Sequence, residues 1–130
     1  MRWRDRLQHW IGRSGPRRKL IVIGIGYPSF SLGQALIDSR QFDIVAFIDD
    51  EPWTNRTQLL GTTVRYPSDL AALIRRHAVD GVVHIEGEPP VIADNIRDEA
   101  LATGVSRIDL PADQPADAQL ERIRAALANA

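Results

Sequence analysis

Four branched apolar residues, Leu20-Ile21-Val22-Ile23, run without a polar break into Gly24-Ile25-Gly26, and Tyr27-Pro28-Ser29 come next. An unbroken apolar run of this length fits a central strand covered on both faces, as in a parallel sheet. Gly24 then makes a tight turn. Gly26 lets a ligand phosphate approach the backbone, and Pro28 opens a helix whose first amides face that phosphate.

The next thirty residues narrow the choice. A helical stretch leads to a second apolar run, Phe42 to Ile48, which ends in Asp49-Asp50-Glu51. The first acid stands 25 residues after Gly24, where a carboxylate can take the ribose hydroxyls of a dinucleotide. Strand, glycine turn, helix, strand and acid are the parts of a Rossmann-type unit. One part departs: the third glycine of Gly-x-Gly-x-x-Gly is Ser29. Two registers fit the first helix. Pro28 can open it, which puts Ser29 at the third position and Gly33 inside the helix against the sheet. Alternatively Ser31-x-x-Gln34 is a capping box and the helix starts later. The first register is preferred.

The 130 residues suit one domain, and 44% hydrophobic with 25% charged residues suits a packed core. The absence of cysteine excludes disulfides, thiolate catalysis and cysteine zinc sites, and it permits a reducing compartment. His9, His77 and His84 lie far apart, so no metal site is expected. No apolar run reaches the roughly 20 residues of a membrane span, and the basic N-terminus has no apolar core behind it to make a secretory signal. The net charge of −1 is uneven: residues 1–19 carry seven basic groups against Asp5, or +6, and the remainder carries −7. An acidic body is not expected to take nucleic acid as its ligand.

Periodicity predicts the elements in order. Trp3, Leu7, Trp10 and Ile11 share one helix face, and Gly12 to Pro16 end it. Strands are expected over about 19–24, 43–48, 63–66, 80–85 and 105–110, with a polar loop over Pro52–Gly61. Helices are expected from Pro28, over 68–78 with Ser68 as cap, over 91–103 ending at Gly104, and over 116–128. Such alternation gives an α/β fold: a single doubly wound parallel sheet, strand order 3-2-1-4-5, over residues 20–130, preceded by a basic amphipathic arm, 1–19.

The runs Ile21-Val-Ile-Gly-Ile-Gly26, Val45-Ala-Phe-Ile-Asp-Asp50 and Leu60-Gly-Thr-Thr-Val64 carry a resemblance, as do Leu70-Ala-Ala-Leu-Ile74 and Val79-Asp-Gly-Val-Val83. Over about residues 19–111 the chain resembles the Rossmann-type, CoA-binding-like module at the N-terminus of bacterial nucleotide-sugar dehydratases and epimerases of polysaccharide biosynthesis. The resemblance implies a nucleotide site, NAD(H)-like or nucleotide-sugar-like, at Gly24, Gly26, Ser29 and Asp49, with Tyr27, Pro28 and Asp50 beside it. Asp49, Asp50 and Glu51 would repel a 2′-phosphate, so NAD is expected over NADP. Where related modules end strand four in an Ala-Ile-Pro-Ser-like sequence, this chain has His84-Ile-Glu-Gly-Glu88. Glu86 and Glu88 would repel a pyrophosphate unless they point away.

Catalysis by the chain alone is not expected. Short-chain dehydratases need Tyr-x-x-x-Lys, and neither Tyr27 nor Tyr66 has a lysine four residues on. His84 reads as a half-buried strand histidine. Three functions are therefore carried: a free-standing NAD(H)-like nucleotide-binding domain allied to surface-sugar synthesis, an oxidoreductase subunit completed by a partner, and an interaction module without ligand. The arm is expected to dock on an anionic membrane surface or a partner protein, with a homo-oligomeric contact as the alternative. The protein is accordingly expected in the cytoplasm, peripheral to the inner face of the membrane.

Overall fold

The computed structural model describes residues 16–128. The helix expected over 3–11 lies outside them. The elements are β1 Arg18–Ile23, α1 Tyr27–Ser39, β2 Phe42–Ile48, β3 Gln58–Leu59, β4 Thr62–Arg65, α2 Leu70–His77, β5 Gly81–Ile85, α3 Asp94–Leu101, β6 Ser106–Leu110 and α4 Ala116–Ala128. The sheet order is β3-β4-β2-β1-β5-β6. Every pairing is parallel except β3 with β4. Without β3 this is the expected 3-2-1-4-5 order.

Four expectations are corrected. The polar stretch before Gly61 is not wholly a loop: Gln58 and Leu59 pair antiparallel with Thr63 and Thr62 and cover the edge of β4. The helix expected from Ser68 starts later. Pro67–Asp69 form a 3-10 turn with no side-chain cap, and α2 proper begins at Leu70. The helix expected over 91–103 is shorter, and its N-cap, Ala93, offers no side-chain acceptor. β1 also begins at Arg18, so Arg18 and Lys19, counted with the arm, belong to the sheet; the Lys19 amide donates to Asp80 Oδ2 at 2.8 Å.

Two apolar layers arise from the alternation of side chains along β1. Leu20 and Val22 face α1 and α4, packing with Leu32, Leu36, Phe47, Ile123 and Leu127. Ile21 and Ile23 face α2 and α3, packing with Ile48, Leu70, Leu73, Ile74 and Ala100. The unbroken apolar run of β1 is thus explained by helices on both faces. The chain leaves β1 for β2 on one side and later returns to β5 on the other. The C-terminal ends of β1 and β5 therefore frame a crevice at the switch point.

The first helix starts where the preferred register put it, with Gly26 as N-cap and Pro28 in its first turn. Gly33 is then pressed on the sheet: a Cβ there would stand 2.9 Å from Phe47 Cζ and 3.0 Å from Leu60 Cδ1. Helix propensity alone favours alanine over glycine by about 1 kcal/mol, whereas overpacking a filled core costs about 1–3 kcal/mol. Gly33→Ala is accordingly expected to lower stability in urea unfolding. A more stable variant would show that the helix does not sit this close.

Candidate functional site

The glycine turn is built by backbone geometry. Gly24 has φ +105°, a conformation that side chains rarely adopt, and its amide donates to Ile48 O at 2.8 Å. This bond ties the turn to the end of β2. Gly26 is solvent-exposed at the start of α1, and its carbonyl accepts from Phe30 N at 2.9 Å. Tyr27 is 79% exposed and contributes its surface, not packing. Pro28 removes one of the helix's free amides.

Ser29 does not open onto ligand space. It is fully buried, with Oγ 3.2 Å from Ile23 O and 2.8 Å from Glu88 Oε1. Both are acceptors, so its single proton bonds one at a time. In the place of the third glycine, Ser29 pins the helix start to β1 and holds a carboxylate over the turn.

That carboxylate is the largest surprise. Glu88 points in: a Cβ on Gly26 would meet its Oε1 at 3.0 Å and Oε2 at 3.2 Å, and one on Gly24 would meet Oε1 at 3.1 Å. The space that a phosphate would use over the glycines holds the Glu88 carboxylate. Glu86 is exposed and does not approach the glycines. The expectation that an acid of this loop would oppose a pyrophosphate unless it points away applies to Glu88. His84 helps to set this loop. It is half-buried, and its Nε2 lies 2.8 Å from the Glu88 carbonyl oxygen, which can only accept, so Nε2 carries the proton.

Asp49 stands at the end of β2, 7% exposed. Its Oδ2 accepts from Thr54 Oγ1 at 2.7 Å and from Glu51 N at 3.3 Å, closing the loop after β2. Only Oδ1 is left for an incoming hydroxyl. Asp50 is exposed beside it. Gly24, Gly26, Ser29 and Asp49 are therefore brought to one end of the sheet, but the Ser29 hydroxyl and one Asp49 oxygen are engaged within the protein. Sequence reading missed Thr54 and Glu88 as their partners because both contacts depend on loop conformation.

Two concavities adjoin the strand ends. One, of about 490 Å³, lies beside the glycine turn between the starts of α1 and α4; Glu86, Glu88, Asp113, Gln114 and Gln119 line it. The other, about 180 Å³ and mostly apolar, lies under α3 on the opposite face. The arginines of that smaller cavity already have partners, Arg97 with Asp94 at 2.7 Å and Arg107 with Asp109 at 2.9 Å. The larger cavity is the one continuous with the turn.

No protein-family model and no curated protein matches the sequence. Solved structures do. The chain is similar to UDP-D-quinovosamine 4-dehydrogenase from Vibrio fischeri, at 26% identity over 74% of this chain and 80% of that one, TM-score 0.62. It is also similar to RSP, a Rex-family repressor, at 14% identity over 96% of this chain and 65% of that one, TM-score 0.63. The fold is a Rossmann nucleotide-binding fold. RSP has been solved with β-NADH (TM-score 0.60) and with β-NAD⁺ and operator DNA (TM-score 0.58). The latter complex does not fit the expectation that nucleic acid plays no part. No described helix is long and apolar enough to cross a membrane.

The Asp49 contacts make a prediction independent of any ligand. Asp49→Ala leaves the Glu51 amide without its acceptor and the Thr54 hydroxyl with the Glu51 carbonyl alone, and is expected to cost about 1 kcal/mol in chemical denaturation. Unchanged stability would mean that the carboxylate is free for other work.

Proposed function

We propose that this chain is a nucleotide-binding Rossmann module of the NAD(H) type, allied to the nucleotide-sugar chemistry of polysaccharide biosynthesis and without catalysis of its own. The observation that carries the proposal is the exposed Gly26 turn at the start of α1, with Asp49 on one side and the large cavity on the other. The likeness to a UDP-sugar dehydrogenase and to a repressor solved with β-NADH supports it. So does the family resemblance of the glycine turn and the Phe47-Ile-Asp-Asp50 segment.

The residues fit a dinucleotide with one rearrangement. Gly24 and Gly26 carry no side chain in the way; over Gly26 the obstacle is the end of a flexible, half-buried glutamate, and over Gly24 the Pro89 carbonyl oxygen stands as well. A pyrophosphate would displace Glu88 from Ser29 and inherit the Ser29 hydroxyl. The Oδ1 atom of Asp49 would take a ribose hydroxyl. NAD would supply hydride chemistry when bound, but a partner would have to bring the acid–base groups, since neither Tyr27 nor Tyr66 has a lysine four residues on.

Calorimetric titration with NAD⁺ tests this. Wild type should bind, Gly26→Val should not, and Glu88→Ala should bind about tenfold tighter, because removing a like charge from a close contact is worth on the order of 1 kcal/mol or more. Equal binding by Gly26→Val and wild type would put the site elsewhere.

For the basic arm, residues 1–17 now that Arg18 and Lys19 belong to β1, we propose weak docking on an anionic membrane face, each basic residue near such a surface contributing about 1 kcal/mol. Co-sedimentation with phosphatidylserine vesicles, lost on deleting residues 1–15 and absent with neutral vesicles, is the expected result. A dimer that becomes a monomer on the same deletion, with no sedimentation, would assign the arm to self-association.

A further inference from the structure

The two edges of the sheet are treated differently. On one side the short strand β3 pairs antiparallel with β4 and covers it. On the other side β6 pairs with β5, and among the described residues no strand pairs with its outer side. The strand Ser106-Arg-Ile-Asp-Leu110 contains neither proline nor glycine. It leaves a row of backbone donors and acceptors at the surface, a template for one more strand.

Alternation fixes which groups those are. The Ser106 amide donates to Asp80 O at 3.1 Å, and the Leu110 carbonyl accepts from Glu86 N at 2.8 Å. Ser106, Ile108 and Leu110 therefore direct their backbone groups inward, to β5, and Arg107 and Asp109 direct theirs outward. The side chains of Arg107 and Asp109 both line the smaller cavity under α3. They form an ion pair at 2.9 Å with about half of each side chain exposed. Apolar surface flanks that pair: Val91, 92% exposed, and Leu101, 38% exposed, line the same cavity. An open strand edge beside exposed apolar side chains is a surface that a partner covers.

The segment Arg107-Ile108-Asp109 is complementary to itself when read backwards. A two-fold axis through Ile108, perpendicular to the sheet, sets Arg107 of one copy opposite Asp109 of the other, twice over. Both residues of each pair direct their backbone groups outward, so each pair exchanges two hydrogen bonds. Side chains of directly opposed residues share a face, so the arginines and aspartates alternate in sign across the axis. Sliding the axis to Arg107 or to Asp109 sets like charges face to face, which selects the register centred on Ile108.

We propose that β6 is the contact between two copies of this chain, joined antiparallel about Ile108 into one continuous sheet, with Val91 and Leu101 covered beside it. The occupant is a second copy because the charges fit their own reversed order. Antiparallel joining points the C-terminal strand ends of the two copies in opposite directions, so each glycine turn stays open to solvent. The contact is isologous and closed, and it does not depend on the nucleotide-binding function proposed above.

Sedimentation equilibrium of the full chain tests this, with thermal melts as a folding control. Wild type should show a concentration-dependent equilibrium between monomer and dimer. Arg107→Asp and Asp109→Arg each set like charges across the axis and should each raise the dimer dissociation constant about tenfold. An equimolar mixture of the two variants should dimerise about as well as wild type, because opposite signs then meet at both pairs. The exchange Arg107→Asp/Asp109→Arg should restore the dimer for the same reason. Each single variant loses the internal ion pair, so an effect of that pair on folding alone would give no rescue on mixing. A wild-type monomer at every concentration, a dimer that both single variants keep at wild-type strength, or no dimer in the mixture would overturn the proposal.

Discussion

The turn from β1 into α1 depends on one hydrogen bond, from the Gly24 amide to the Ile48 carbonyl. It requires the positive φ of Gly24, so it requires glycine. It fixes the end of β2 beside the end of β1, and so brings Asp49 within reach of the turn. It also aims α1 down the sheet, where Gly33 must pass over Phe47 with no room for a side chain. Ser29, buried beneath the helix start, bonds back to β1 and makes the arrangement rigid from below. The crevice, the acid at its edge and the cavity beyond it are consequences of that geometry.

The same rigidity explains why Glu88 lies where it does. A glycine turn with an open, positively polarised helix start attracts negative charge. The protein supplies that charge itself, from the loop after β5. The carboxylate accepts from Ser29 and covers Gly26. Under the proposed function, an incoming anion would compete with an internal one.

Much of the fold was legible in the sequence. The apolar run of residues 20–23 fitted a doubly covered strand, and the alternation of strands with helix-length segments implied the parallel order of the sheet. Pro28 located the helix start correctly because proline is tolerated only in a first turn. What escaped was set by contacts distant in sequence. β3 is two residues long and exists only by pairing with β4, so no periodicity announced it. The start of α2 lacked the cap that Ser68 promised, and Pro67–Asp69 form a 3-10 turn instead. At the site, the glycines and Asp49 were readable from spacing, but their occupancy was not: the Ser29–Glu88 contact joins residues 59 apart. Gln119 could have been noticed, since a polar residue on the inward face of an otherwise apolar helix stripe is a local inconsistency, and such places tend to be functional.

The central claim is that a nucleotide lies across the ends of β1, β2 and β5, over the glycine turn. Amide NMR of the ¹⁵N-labelled chain titrated with NAD⁺ tests it most directly. The account predicts saturable shifts at Gly24, Gly26, Ser29, Asp49 and Gly87 and in the side-chain amides of Gln114 and Gln119, with the far ends of the strands unmoved. Shifts confined to the opposite face around Ile92, Arg97 and Leu101, or no shifts at millimolar nucleotide, would contradict it.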